Sequence, residues 1–291
     1  MKKIVVLDTD ISNEIDDQFA LVYLMKSLSE VDVQAITIAP FKKSSFMPVE
    51  TIGEGTDLSF NTAIKILDML GLEKYKKKVL KGAKHYFFES RELNPASKKI
   101  IELARRFEHI TVIAIGAITN VALALYHAPD IATKIDVVWL GGHSFLQDKN
   151  DEYNFRQDVD AVRFVFNSEV SLTVIPCKNV ASYLQTTIFE LEHYLKDGGE
   201  IGKYLREIFK NCKKHRHKNE SDKIGESKVL WDMSAVAFCL NQSWFGYKEI
   251  SCPEILEDLS YKQTKGRHKV TFANFVDRQA VFKDFFMKMG L

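Results

Sequence analysis

An open, mainly parallel α/β sheet with helices on both faces is the fold this sequence predicts, and three observations carry it. Short aliphatic and β-branched runs alternate with helix-period segments from the amino terminus onward, the order that successive βα units produce. The first run, Lys3 to Leu7, is apolar throughout rather than alternating, as a strand covered on both faces is. With 291 residues and 46% hydrophobic content the chain can bury a large core, and no linker, repeat or low-complexity segment divides it. One domain over residues 1–291 is therefore expected.

In chain order, the strand at Lys3 to Leu7 exits through Asp8-Thr-Asp10, and a helix opens at Asp16-Asp17 and continues through Phe19, Ala20, Leu21, Tyr23, Leu24 and Leu28. Val33 to Ile38 reads as the second strand. Thr56 to Leu72 carries Leu58, Ile64, Ile66, Leu67 and Leu70 at helical spacing. Asn94-Pro95 forms an N-cap and first helical residue, opening a helix to about Phe107. Strands follow at Thr111 to Ile115, Val137 to Leu140 and Leu172 to Ile175, with helices through Leu125, over Asp158 to Phe166 and over Ile201 to Phe209. The last third is less regular, although Arg278 to Met289 has the pattern of a closing helix.

Composition excludes several classes. A net charge of +1 gives no reason to expect nucleic acid or a membrane surface. Cys177, Cys212, Cys239 and Cys252 form no Cys-x-x-Cys pair, which speaks against a zinc site or a disulfide framework and for a reducing cytoplasm. The apolar run after Lys2-Lys3 stops at Asp8, too early for a signal peptide, and Ile110 to Tyr126 is interrupted by Gly116, Thr119 and Asn120.

Chemistry gathers at the first strand exit. Residues two apart on a strand point the same way, so Asp8 and Asp10 are expected to project together. Asp16 and Asp17, as helix neighbours, point differently and have different tasks. Crowded carboxylates repel one another and are relieved by a divalent cation, and oxygen-only donors favour Ca²⁺ or Mg²⁺ over zinc. Ligands of open α/β sheets bind beyond the carboxyl ends of the strands. Later strand ends supply partners there: Gly141-Gly142, Glu152-Tyr153-Asn154, and Trp231-Asp232 at a helix start.

These segments, in this order, resemble the landmarks of the nucleoside hydrolases. Asp8-x-Asp10 followed by Asp16-Asp17 is similar to the family's amino-terminal signature, although the loop Ile11 to Ile15 is longer than the common form and lacks its glycine. Ile115-Gly116-Ala117-Ile118-Thr119-Asn120 resembles the Thr-Gly-Gly-Leu-Thr-Asn turn, Leu140-Gly141-Gly142 the Met-Gly-Gly step, and Glu152-Tyr153-Asn154 with Asp158 the Glu-Phe-Asn segment. The resemblance implies that Asp10, Asp17, the Ile115 carbonyl and Asp232 hold Ca²⁺ and that Asp16 binds ribose hydroxyls. It also implies that Asn13, Glu152 and Asn154 hold the rest of the sugar, and that Asp8 braces the loop from behind. The expected reaction is hydrolysis of a small-molecule ribonucleoside to ribose and free base, with Asp10 as general base, in a homodimer or homotetramer.

Two positions depart from the family pattern. Trp231 stands where many members place a general-acid His, as in the purine-preferring branch, whose indole stacks on the base; the alternative is a core aromatic. Ala39 stands where the family offers Asn or Asp after the second strand. His143 is the one histidine near the expected mouth, and a structural or surface role is the simpler reading of it. The basic run Lys210 to Lys218 is read as a solvated helix end rather than a flap, and Tyr86, Phe87 and Phe88 as packing groups. Two other functions compete: a metal-dependent nucleoside or sugar binder without turnover, and a haloacid-dehalogenase-type phosphatase with Asp8 as nucleophile. The second leaves Glu152, Asn154 and Asp232 without a task.

Overall fold

The computed structural model describes residues 2–42, 49–144, 147, 149–212 and 227–290. Its strands are β1 Lys3–Thr9, β2 Val31–Ile38, β3 Val79–Leu80, β4 Ile110–Ala114, β5 Ile135–Leu140, β6 Ser171–Ile175, β7 Gln185–Thr187, β8 Ser227–Val229, β9 Phe245–Ser251, β10 Glu254–Ile255, β11 Tyr261–Lys262 and β12 Lys269–Val276. The α-helices are α1 Asp16–Lys26, α2 Ile52–Met69, α3 Glu73–Lys76, α4 Pro95–Arg106, α5 Thr119–His127, α6 Tyr153–Gln157, α7 Val159–Asn167, α8 Ile188–Tyr194, α9 Gly199–Asn211, α10 Met233–Leu240 and α11 Arg278–Lys288.

Among the described residues, eight strands form the central sheet in the order β3-β2-β1-β4-β5-β6-β12-β9. Every pairing is parallel except β12 with β9, which is antiparallel. Strand β1 is central, and its period-2 alternation sends Val5 and Leu7 into one core and Val6 into the other. The first core holds buried side chains of α1, α2, α9, α10 and α11, and the second those of α4, α5 and α7. Helices thus cover both faces, as predicted.

Local sequence explains the helix starts. Thr51 and Glu54 form a reciprocal capping box on α2, and Asn94 with Ser97 does the same on α4, with Pro95 in its first turn. Helix α2 accordingly begins four residues before the Thr56 read from hydrophobic spacing, because the cap rather than the apolar face sets its start. Asp158 caps α7 through the Ala161 amide. Helix α11 closes the fold over α1: Phe285 lies 6.2 Å from Phe19 and 5.6 Å from Tyr23, ring centre to ring centre, and Tyr23 donates to Asp284 at 2.5 Å.

Strand β1 runs on through Asp8 and Thr9, two residues past the apolar segment, and Asp10 lies beyond its end. Alternation does not reach Asp10, so Asp8 and Asp10 do not project together. Asp8 turns to Thr37 of β2 at 2.6 Å and to Asn120 of α5 at 2.9 Å. Its expected role as brace of the Ile11–Ile15 loop is therefore corrected: it ties β1 to β2 and α5. Of the basic run, Lys213 to Lys218 lie outside the described residues.

Candidate functional site

The carboxyl ends of β1, β4 and β5 open into a cavity of about 410 Å³. Asp10, Asn13, Glu14, Asp16 and Asp17 enter from the β1–α1 segment, Ile115 from the end of β4, and Leu140 with His143 from the end of β5. Glu152, Tyr153 and Asn154 come from the start of α6, and Trp231 and Asp232 from the turn before α10. Asp232 reaches the amino-terminal acids because α10, buried over nearly its whole length, packs against α1. Every residue expected to act therefore lies on one wall or another of this cavity.

Two backbone features admit these groups. Gly116 follows β4, where a β-carbon would lie 2.8 Å from an Asp10 carboxylate oxygen, so only glycine lets Asp10 settle there. Gly142 has φ of +69°, a left-handed conformation that suits glycine. Its amide donates to Glu152 Oε2 at 2.9 Å.

Asp10, Asp16, Asp17 and Asp232 are buried, each 4% exposed or less. Oxygens of Asp16, Asp17 and Asp232 lie within 4.8 Å of one another, and Asp16 Oδ1 is buried without a hydrogen-bond partner. Burial, followed by mutual repulsion, holds the Asp17 and Asp232 carboxyls well above the ordinary carboxylate range. Burial likewise pushes Asp10 and Asp16 up to about 7, against hydrogen bonds from Gln157 and Asn13 in the first case and the Lys228 charge in the second. Such a set fits a divalent cation: the donors are hard oxygens, those of Asp16, Asp17 and Asp232 crowd one point, and the hydrogen bonds and the Lys228 charge offset only part of what burial costs.

Asp10 Oδ2 accepts from Asn13 at 3.0 Å and from Gln157 at 3.3 Å, and Thr9 donates to Asp17 at 2.5 Å. Glu152 caps α6, its two oxygens accepting the amides of Gly142, Asn154 and Phe155. The Asn154 side-chain amide donates to the Ile115 and Leu140 carbonyls at 3.1 Å each, which fixes the Ile115 carbonyl at the cavity floor while leaving that oxygen a second lone pair.

The structure therefore gathers Asp10, Asn13, Asp16, Asp17, Ile115, Glu152, Asn154, Trp231 and Asp232, while Asp8 stands apart, fully buried between β2 and α5. A nucleophile at Asp8 has no access to the cavity, which disfavours the phosphatase reading. Trp231 is half-buried against the core and also lines the cavity. His143 lines the cavity too, its ring nitrogen 2.9 Å from Asp151, with its pKa lowered chiefly by burial. Phe87 packs, as read, with Arg91 over its ring at 3.6 Å. Sequence reasoning missed Glu14, Gln157, Asp151 and Lys178 at the site. The available signal was the polar lengthening of the β1–α1 loop for Glu14 and the helical register from Asn154 for Gln157.

The sequence profile of inosine-uridine preferring nucleoside hydrolases matches residues 5–283. The chain belongs to that family. A nucleoside hydrolase by family, it falls in the N-ribohydrolase class of enzymes. No curated protein matches the chain. Among solved structures, a plant nucleoside hydrolase superposes with a TM-score of 0.81 at 21% identity, covering 99% of each chain. A purine-preferring ribonucleoside hydrolase from Gardnerella vaginalis gives 0.79 at 20% identity, covering 99% of this chain and 98% of the other. An inosine-uridine preferring nucleoside hydrolase from Bacillus anthracis gives 0.72 at 19% identity, covering 99% of each. At these identities the likeness is one of fold, and this nucleoside hydrolase shares the mainly parallel sheet with those proteins.

Proposed function

We propose that the protein hydrolyses the N-glycosidic bond of ribonucleosides, purine nucleosides above others, with Ca²⁺ as its metal and Asp10 as general base. The observation that carries this reading is the set of buried carboxylates at one end of a nucleoside-sized cavity that Trp231 also lines. Asp10, Asp17, Asp232 and the Ile115 carbonyl would hold the cation, with Asp16 close enough to share it or to bind ribose hydroxyls. When bound, Ca²⁺ neutralises the cluster and acidifies a water molecule.

Asp10 takes the proton from the attacking water as its oxygen bonds to C1′ and the C1′–N bond breaks, the electron pair leaving with the base. Asn13 and Gln157 fix the Asp10 carboxylate through Oδ2. The surrounding carboxylates favour the positive charge that develops on the sugar. Glu152 and Asn154, made rigid by backbone hydrogen bonds, shape the sugar subsite with Asn13. Trp231 offers an aromatic face to a flat base, and the purine preference rests on it.

The same reading makes the protein a single-domain, cytoplasmic enzyme of nucleoside salvage, acting as a homodimer or homotetramer. Its four buried cysteine thiols suit a reducing compartment. Among the described residues no helix is long and apolar enough to cross a membrane. A panel of purine and pyrimidine nucleosides assayed for reducing sugar, with Ca²⁺ and with chelator, tests the function. Ribose release that chelator abolishes is expected; nucleoside binding without release would select the non-catalytic alternative.

A further inference from the structure

Two acids on the cavity wall have no task in the reaction described. Asp151 is 66% exposed at its side chain and pairs with His143 and Lys178. Glu14 is different, because a buried cation stands behind it. The Lys228 ammonium lies 2.5 Å from Glu14 Oε1, and the Lys228 side chain is only 5% exposed. Burying an ammonium is costly unless a partner compensates it, so this pair is a built feature rather than a chance surface contact. It also joins distant segments: Glu14 sits in the β1–α1 loop, and Lys228 lies in β8, three residues before Trp231.

The pairing fixes a carboxylate in the same cavity that the Trp231 ring lines. A carboxylate only accepts hydrogen bonds, so whatever group of the ligand meets Glu14 must donate one. Trp231 calls for a flat, weakly polar ring. Within the purine reading proposed above, a flat ring with an N–H edge is a nucleobase of the 6-oxopurine or 6-aminopurine kind. Resting on the reading that nucleosides bind this cavity, we propose that Glu14, held by Lys228, is a specificity residue that accepts a hydrogen bond from the N–H edge of the base. The site then selects inosine- and adenosine-type nucleosides over purine riboside, whose six-membered ring has no N–H.

Calorimetric dissociation constants for inosine and purine riboside, measured with Ca²⁺ on the full chain, test this. The unaltered protein should bind inosine about 10- to 100-fold more tightly, the range of a hydrogen bond to a charged group. Glu14→Ala should erase that margin by weakening inosine alone, Glu14→Gln should retain part of it, and Lys228→Met should move in the direction of Glu14→Ala. If Lys228→Met fails to fold, the two Glu14 variants still decide. An unaltered protein without the margin, a Glu14→Ala variant that keeps it, or equal weakening of both ligands would overturn the assignment. Binding with the predicted margin but without ribose release would sink the hydrolytic reading and leave this one standing, whereas no binding of either nucleoside would sink both.

Discussion

At the scale of single residues, the cavity separates side chains by what they can lose. Asp10 is held through one oxygen by Asn13 and Gln157 and is the proposed base, so Asp10→Ala should lower kcat by about 10²- to 10⁴-fold with the fold intact. An unchanged turnover number would remove it from that role. Groups that merely support a metal ligand are worth about 10- to 100-fold in metal affinity, so Asp232→Ala should weaken calcium binding by more than that; titration with a calcium indicator measures it. Trp231→Ala should cost purine nucleosides more than pyrimidine ones, with stacking worth about 1–3 kcal/mol per base. Equal losses in KM for both classes would reduce Trp231 to a packing group.

Elements decide where those residues stand. Helix α1 carries Asp16 and Asp17 into the cavity, and α10 and α11 both pack against it. Phe285 is fully buried against Phe19 and Tyr23, so Phe285→Ala should destabilise the protein by about 3–5 kcal/mol in urea unfolding and loosen the seat of α1. The alternation of apolar strands and helices over the first two-thirds was legible because parallel strands buried on both faces and capped helices leave strong local signals. In the last third the helices were legible and the strands were not. Strand β9 has an exposed middle, and β10 and β11 are two residues each, too short for any periodicity.

For the whole molecule, the acid cluster links cation, proton and stability. With chelator present, Asp10 and Asp16 titrate near 7 in the folded chain, against about 3.9 for an unperturbed Asp in the unfolded one. The folded state therefore holds its protons more tightly. The resulting stabilisation is full below the unfolded value and is lost as pH rises through the folded one. The melting temperature in chelator should fall between about pH 4 and pH 7. Ca²⁺ binding requires the ionised carboxylates, so its stabilising effect should grow over that same interval, with proton release on binding. A melting temperature that is flat with pH in chelator would contradict the upward shift that burial gives Asp10 and Asp16.

The order of landmarks along the chain was enough to identify the family signature, the fold class and the acids at the site, because each depends on residue type and short spacing. Which acids share a point in space was not contained in that order. Asp8 and Asp10 look equivalent in sequence, yet strand β1 ends between them, sending one to β2 and α5 and the other to the cavity. Asp232 reaches Asp17 only through the packing of α10 on α1, and Lys228 meets Glu14 across 214 residues. Local pattern sets what each segment becomes. Long-range packing alone sets which charges must tolerate one another, since the cost of crowding them arises only where burial removes the water between them.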